Sequence, residues 1–292
     1  MAGENRLQGF TLPQRSARGR LVRLGSVLDE ILGAHAYPEP VARLMAETLA
    51  LTALLGALFR PEEGQLTLQA KGKGGPISLM VADFRDWALR GYAALDLDRR
   101  FPAVEEGSLE ALFGPGQLVL TLDQTVSSER YQGIVELGAT SLEAAAQGYF
   151  ENSEQLPTLV RLAARKGADG KWTAGGLIVQ QMARAEEGGM RLHVEGGNAD
   201  WEHVAVLAGS VTADELADLA LSEEDLLWRL FNEDEVRVLP PEALTRGCRC
   251  SVEHIRKVLE QFPEEERADM RNSDGVISVD CEFCSKQFLL EV

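Results

Sequence analysis

Apolar residues near the start of the chain recur at helical spacing. From Gly19 to His35, leucine, valine and isoleucine fall three or four positions apart, which predicts an amphipathic helix. A second helix is predicted from Pro38 to about Phe59, because proline suits a first helical turn and the run that follows is largely apolar. Its uncharged apolar stretch is too short to span a bilayer and indicates a buried helix.

Five segments between residues 65 and 137 alternate apolar and polar residues, as β-strands do. They are QLTLQA (65–70), PISLMVADF (76–84), WALRGYAAL (87–95), QLVLTLDQ (117–124) and RYQGIVEL (130–137). The glycine-rich stretch KGKGGPIS (71–78) lacks the spacing of a phosphate-binding loop and lies between two strands, which favours a hairpin connection. Together these segments predict a mostly antiparallel sheet.

Two helices and one further strand complete this unit. A helix is predicted at about Ser141–Asn152, and another at about Leu156–Arg165 continues it. AGGLIVQQMA (174–183) then indicates a last strand. We therefore expect an N-terminal domain of residues 1–183.

The chain changes character between about residues 198 and 240, where eleven acidic residues face only two arginines. Two sequences resembling capping boxes, Thr212–Glu215 and Ser222–Asp225, still indicate helices. Two interpretations stay open. The segment is either a set of ordinary acidic helices packed on the first domain, or a marginally stable linker, residues 184–240, whose carboxylates repel one another whenever packing loosens.

This acidic segment also carries an apolar stripe. Leu227, Leu230 and Phe231 fall at helical spacing, Trp228 lies beside them, and Trp201 is predicted on an earlier helix. These residues are the candidates for a surface that binds other proteins.

The net charge of −17 restricts the possible partners. A surface this acidic repels phosphate backbones and anionic lipid, so neither nucleic acid nor a membrane is expected as a partner. The start of the chain has basic residues but no apolar signal-peptide core, which predicts a cytoplasmic and reducing location. No catalytic constellation is recognisable, and we do not expect an enzyme.

All four cysteines lie near the end of the chain, in GCRCS (247–251) and DCEFCS (280–285). A C-x-C followed by a C-x-x-C supplies four thiolates, enough for a closed tetrahedral zinc site, and leaves no cysteine over. The residues between them predict a compact module of residues 241–292. Ser251 caps one helix, Pro263 opens a second, and Asn272–Gly275 forms a turn into a strand.

Such a centre suits either a static scaffold or a switch. Structural zinc contributes about 10 to 16 kcal/mol in comparable peptides and would join the two cysteine pairs across the helices between them. If an oxidant instead paired each cysteine with its near neighbour, the two small loops would contribute roughly 2 kcal/mol each, and neither bond would bridge the halves. A small module that loses its long-range cross-link should unfold.

Phrases throughout the chain resemble one known family. They are RLV (20–22), HAYPEPV (35–41), LTLQAKGKGGPISLMVADF (66–84), LRGYA (89–93), RYQGIVEL (130–137), YFENSEQLPT (149–158), AGGLIVQQM (174–182), VTADELADL (211–219), LWRLFNEDEVRV (227–238), CRCS (248–251) and GVISVDCEFC (275–284). On these phrases the chain resembles the 33 kDa chaperonin family, the redox-regulated heat-shock holdases of the bacterial cytoplasm.

The resemblance implies an α+β fold with an N-terminal core of mostly antiparallel sheet and helices, a metastable helical linker and a small C-terminal four-cysteine zinc domain. It implies one Zn²⁺ per reduced chain, bound at Cys248, Cys250, Cys281 and Cys284. It also implies disulfides from Cys248 to Cys250 and from Cys281 to Cys284 after oxidation. Oxidation would then expose apolar surface, promote a homodimer and let the chain hold unfolding clients without ATP, until thiol reductants return and ATP-driven foldases take the clients over.

Two functions from different classes follow. The favoured one is an oxidation-activated holdase that binds clients through the apolar face of about residues 198–240 and the core surface beneath it. The alternative is a constitutive zinc-ribbon adaptor that binds one partner protein.

Overall fold

The computed structural model describes residues 4–58, 64–103, 108–124, 130–138, 141–182 and 197–291. Two sheets, A and B, share one buried helix between them. Sheet A has the order β10-β1-β2-β9-β8, with β11 also pairing with β1, and is built from β1 (Arg6–Leu12), β2 (Ala17–Leu24), β8 (Thr158–Lys166), β9 (Trp172–Gln181), β10 (Arg237–Val238) and β11 (Glu242–Ala243).

Sheet B has the order β12-β5-β4-β3-β6-β7. Its strands are β3 (Gly64–Gly72), β4 (Ile77–Arg85), β5 (Ala88–Leu95), β6 (Gly116–Gln124), β7 (Arg130–Glu136) and β12 (Thr245–Arg246). Neighbouring strands are antiparallel except for β12, which runs parallel to β5. All five predicted strands and the predicted hairpin connection are confirmed.

Helix α2 (Glu39–Gly56) confirms the predicted buried helix and is the centre of the main core. It contacts β2, β8 and β9 of sheet A on one side and β3, β4 and β5 of sheet B on the other. A helix enclosed in this way must be apolar all round, as its run of leucines and alanines is.

The helix predicted over Gly19–His35 is wrong in its first half, where β2 forms, and only α1 (Ser26–Leu32) is helical. Strand β2 lies between β1 and β9, and both of its faces are covered by apolar side chains. Adjacent residues such as Leu21 and Val22 are therefore both buried. Without polar alternation a central strand imitates the spacing of a helix.

The helix predicted over Leu156–Arg165 is also wrong, because these residues form most of β8. A short helix, α3 (Leu109–Phe113), precedes β6. The helix predicted at about Ser141–Asn152 is confirmed as α4 (Leu142–Tyr149), which continues into a π-helical turn at Phe150–Glu154. Strand β8 pairs antiparallel with β9 and buries Val160 and Ala163 on opposite faces. Apolar residues on both faces again removed the alternation expected of a strand.

The acidic segment forms three helices against the outer face of sheet A. They are α5 (Gly197–Gly209), α6 (Ala213–Ala217) and α7 (Glu223–Phe231). The side chains of Thr212 and Ser222 accept hydrogen bonds at the starts of α6 and α7, which confirms both predicted caps. At Gly175 of β9 any side chain would collide with the backbone of Leu216, so the glycine allows α6 to approach the sheet.

The C-terminal residues form a small unit with its own apolar cluster. The sequence predicted α8 (Val252–Leu259), α9 (Glu264–Met270) and β13 (Ile277–Asp280) but not β14 (Gln287–Leu290), which pairs antiparallel with β13. The whole chain is α+β, as predicted. In the described part of the chain, no helix is both long and apolar enough to cross a bilayer. The domain boundary predicted at residue 183 falls outside the described residues.

Candidate metal centre

Two short segments bring the cysteines together. Cys248 and Cys250 follow β12, and Cys281 and Cys284 lie in the turn between β13 and β14. That turn is tight: the N–H groups of Cys284 and Ser285 donate to the carbonyl of Cys281, over 3.2 Å and 2.7 Å. The pairing of β13 with β14 therefore fixes one half of the centre.

The four sulfur atoms form a compact cluster, all within 4.8 Å of one another. The Sγ atom of Cys248 lies 3.2 Å from that of Cys250 and 3.6 Å from that of Cys281. The Sγ atoms of Cys250 and Cys284 are 3.5 Å apart. Four thiolates at a metal–sulfur distance of about 2.3 Å in a tetrahedron are about 3.8 Å apart. The cluster fits a four-coordinate metal ion with little adjustment.

The thiols differ in acidity although their exposure is similar. Burial disfavours the Cys248 thiolate, but hydrogen bonds from the Cys250 backbone and from the neighbouring thiols outweigh it and lower the Cys248 pKa to about 7. Burial raises the pKa of Cys250, and the adjacent sulfur groups raise it further. Burial likewise raises the pKa of Cys281. Cys248 therefore loses its proton more readily than Cys250 and Cys281, unless a bound cation balances the additional negative charge.

The unit around the centre has a very small core. Leu259 of α8, Ile277 of β13, and Phe288 and Leu290 of β14 form its buried apolar cluster, with Cys250 and Cys281 packed against it. So few buried side chains cannot supply the stability of a domain. The fold of this unit depends on whatever joins the four sulfur atoms.

The residue between the first two cysteines reaches sheet B. Arg249 donates to Gln65 Oε1 over 2.6 Å and to Asp83 Oδ2 over 3.1 Å. The Asp83 side chain is only 4% exposed, and it also pairs with Arg90 at 2.6 Å and accepts from the Thr67 hydroxyl. Asp83 keeps a partner within sheet B when Arg249 leaves, so this contact can open without leaving a buried carboxylate unpaired.

Phe283, which lies between the second two cysteines, also reaches sheet B. The Phe283 ring lies 3.8 Å below the Arg90 guanidinium and packs edge-on against Tyr92, with 4.8 Å between ring centroids. Next to the second pair, the Ser285 hydroxyl lies 3.3 Å from His35 Nδ1. We did not predict any of these contacts, since local sequence contains no signal for side chains so far apart along the chain.

The predicted apolar stripe of α7 is buried beneath the helix. Leu227, Leu230 and Phe231 pack on sheet A, and the Phe231 ring lies 5.8 Å from that of Phe10. Trp201 is partly buried at the edge of the same cluster, whereas Trp228 points outward and is 68% exposed. The structure thus unites four of the five candidate residues in one interface and separates Trp228 from it.

Polar contacts hold the acidic helices to the core as well. Arg15, which follows β1, pairs with Asp234 at 2.7 Å and with Asp200 at 3.0 Å. The fully buried Arg23 of β2 donates to the backbone carbonyls of Glu215, at 3.0 Å, and Asp218. Burial lowers the Arg23 pKa. Ion pairs and hydrogen bonds thus supplement the apolar face of these helices.

Two sheets around one helix, an acidic helical layer and a C-terminal four-thiol centre define an α+β protein with a C-terminal cluster of four cysteines that could hold a metal ion. Within this class the sequence identifies the family, because the family model described as "Hsp33 protein" matches residues 5–291. The chain belongs to the Hsp33 family, a family of chaperones.

Named relatives span almost the whole chain. The 33 kDa chaperonin of Caulobacter vibrioides is 41% identical over 98% of this chain and 94% of its own length. That of Nitrosococcus oceani is 35% identical over 99% and 92%. The crystal structure of the 33 kDa chaperonin from Thermotoga maritima matches with a TM-score of 0.82 at 23% identity, covering 98% of this chain and 95% of that one. The fold is therefore that of this family.

Proposed function

We propose that the chain is a redox-regulated, ATP-independent holdase that binds unfolding proteins and prevents their aggregation under oxidative stress. The single observation that carries the proposal is the position of the four-thiol centre. It lies in a unit with almost no core of its own, and this unit contacts sheet B through the residues between the thiols. A chemical change at sulfur is thereby coupled to the packing of the C-terminal part of the chain.

Zinc is the metal that suits the site in the reduced, inactive state. Cys248, Cys250, Cys281 and Cys284 would hold one Zn²⁺ per chain, since four thiolates without an open position are typical of structural zinc. The bound ion would join the segment after β12 to the turn between β13 and β14. Its role would be structural, and we propose that the cysteines sense oxidants rather than turn over a substrate.

Oxidation would replace this cross-link by two local ones. Peroxide takes two electrons from each thiol pair and forms one disulfide and two molecules of water. We propose the pairs Cys248–Cys250 and Cys281–Cys284, in which the sulfur atoms no longer serve as ligands. Thiol reductants would return two thiols from each strained local disulfide. Neither disulfide joins the two segments, so the C-terminal unit would lose its main source of stability.

Release of the C-terminal unit would loosen the acidic helices that precede it. The proposed boundaries are 1–183 for the core, 184–240 for the linker and 241–292 for the zinc domain. The apolar side chains of the linker, with the sheet A surface beneath them, would then bind clients. They are Trp201, Leu227, Trp228, Leu230 and Phe231.

The remaining partners follow from this cycle. Clients are unfolded or partly unfolded proteins of the cytoplasm, and ATP-driven foldases would receive them once reductant returns. The oxidised chain would form a homodimer through its newly exposed apolar surface. The net charge of −17 argues against nucleic acid and membranes as partners.

Light scattering of heat-unfolded citrate synthase tests this function. The peroxide-treated chain should suppress aggregation, the reduced zinc-loaded chain should not, and dithiothreitol with zinc should reverse the activation. Peroxide quenched by catalase before the client is added is the control for direct oxidation of the client. Equal suppression by the reduced and oxidised chains would refute the proposal.

A further inference from the structure

The outer edge of sheet B at β5 is covered by the segment that leads into the metal centre. Strand β12 runs parallel to β5, with Thr245 opposite Ala88 and Arg246 opposite Leu89. The Thr245 N–H donates to the Trp87 carbonyl over 3.0 Å, and the Gly247 N–H donates to the Leu89 carbonyl over 2.8 Å. Cys248 follows at once, so this pairing ends at the first thiol.

Side chains lie against the rest of this edge, and α1 also contacts β5 and β12. Strand β5 continues to Leu95, beyond the reach of β12. The Ala93 N–H donates to the Tyr37 hydroxyl over 2.8 Å, and Phe283 of the metal centre packs on Tyr92. The main-chain N–H and C=O groups of successive strand residues point to opposite sides of the strand. Those of residues 89, 91 and 93 therefore all point away from β4, toward the open edge. Strand β12 and Phe283 belong to the C-terminal unit, whereas Tyr37 and α1 belong to the core.

The edge of sheet A at β8 is closed differently. There the N–H groups of Val160 and Leu162 donate to Gln147 and Glu143, over 2.8 Å and 2.6 Å. Both acceptors lie on α4, which belongs to the same core as the sheet. The β8 edge is therefore protected whether or not the C-terminal unit is in place, whereas the part of the β5 edge that pairs with β12 loses its partner when that unit leaves.

We propose that the outer edge of β5 is a binding site for an extended segment of an unfolded client, which adds to sheet B as a strand when the C-terminal unit leaves. This inference rests on the proposed function and gives it a structural mode. Main-chain hydrogen bonds along an edge do not depend on side-chain identity, which suits a chaperone with many clients. The edge accepts such a strand already, in the form of β12.

The side chains next to the β5 edge determine which client side chains fit there. Release of Phe283 uncovers the Tyr92 ring and one face of Arg90, so an aromatic or large aliphatic client side chain fits the vacated position. A second copy of this chain is a poorer occupant, because an edge of one short strand buries far less area than a stable dimer needs.

Substitutions at Ala93 test whether the client binds through main-chain hydrogen bonds. Ala93→Pro removes an outward N–H and places a ring on the edge, while the antiparallel pairing with β4 uses the other side of the strand. Ala93→Ser keeps the N–H, and Tyr37→Phe removes only the hydroxyl that now covers it. All variants should match the parent in circular dichroism when reduced.

We expect the oxidised Ala93→Pro chain to need about tenfold more protein than the oxidised parent for half-suppression of citrate synthase aggregation, since main-chain hydrogen bonds are lost. Ala93→Ser should behave as the parent does, and Tyr37→Phe should hold the client at least as well, because it frees the Ala93 N–H. In the oxidised parent, bound citrate synthase should slow hydrogen exchange at residues 89, 91 and 93, a measurement that needs no variant.

Three results would overturn the inference. The first is equal holding by Ala93→Pro and Ala93→Ser, and the second is exchange in β5 that the client does not change. The third is an oxidised Ala93→Pro chain that no longer dimerises but still binds the client. This result would show that a second copy of the chain, and not the client, occupies the β5 edge. An oxidised parent that holds no client at all would remove the proposed function together with this site, so the two failures are distinguishable.

Discussion

At the scale of single residues, the side chains between the cysteines connect the centre to the core. Arg249 and Phe283 are each flanked by thiols, and each reaches the same place on sheet B, around Asp83 and Arg90. Any rearrangement of the sulfur atoms moves the backbone that carries these two side chains. Arg249 and Phe283 thus join the C-terminal unit to the sheet.

Loss of the Arg249 contact should ease release of the C-terminal unit without any oxidant. A partly exposed ion pair is worth about 1 kcal/mol, so Arg249→Gln should raise the opened population of the reduced chain about fivefold. Hydrogen exchange at the amides of β12 measures this population. Arg256→Gln, at an exposed arginine of α8, is the matched control. Equal exchange rates in the two variants would show that Arg249 does not hold the unit in place.

At the scale of elements, a strand could be predicted from sequence most readily when only one of its faces is buried. Strands β3 to β7 could be predicted because most alternate visibly, and α6, α7 and α8 because Thr212, Ser222 and Ser251 cap them. Strands β2 and β8 could not, since both of their faces meet apolar side chains. The cysteine spacing predicted the four-thiol cluster, but its contacts with sheet B depend on tertiary folding and have no local signal.

Helix α7 offers a direct comparison of a buried and an exposed neighbour. Leu227→Ala removes a side chain packed on sheet A and should lower the free energy of unfolding by about 3 kcal/mol, whereas Trp228→Ala should change it little. Urea unfolding measures both values. The reduced Leu227→Ala chain should also hold clients more readily, because its linker is released more easily. Equal destabilisation by the two substitutions would contradict the packing described for α7.

At the scale of the whole molecule, the C-terminal residues complete the core rather than follow it. Strands β10 and β11 extend sheet A, β12 extends sheet B, and the acidic helices cover the outer face of sheet A. The residues that lead into the four-thiol centre therefore contribute strands to both sheets. Residues 198–240 carry eleven acidic residues against two arginines, and repulsion between these carboxylates favours separation of the covering helices once packing is lost.

The central claim is that a metal held by four thiolates keeps residues 241–292 folded on the core and that neighbouring disulfides do not. Hydrogen exchange of one preparation, measured when reduced with zinc and after peroxide treatment with zinc release confirmed, tests it most directly. We predict strong protection of β12, β13 and β14 in the first state and its loss in the second, while α2 stays protected in both. Equal protection of the three strands in the oxidised, metal-free chain would contradict the account.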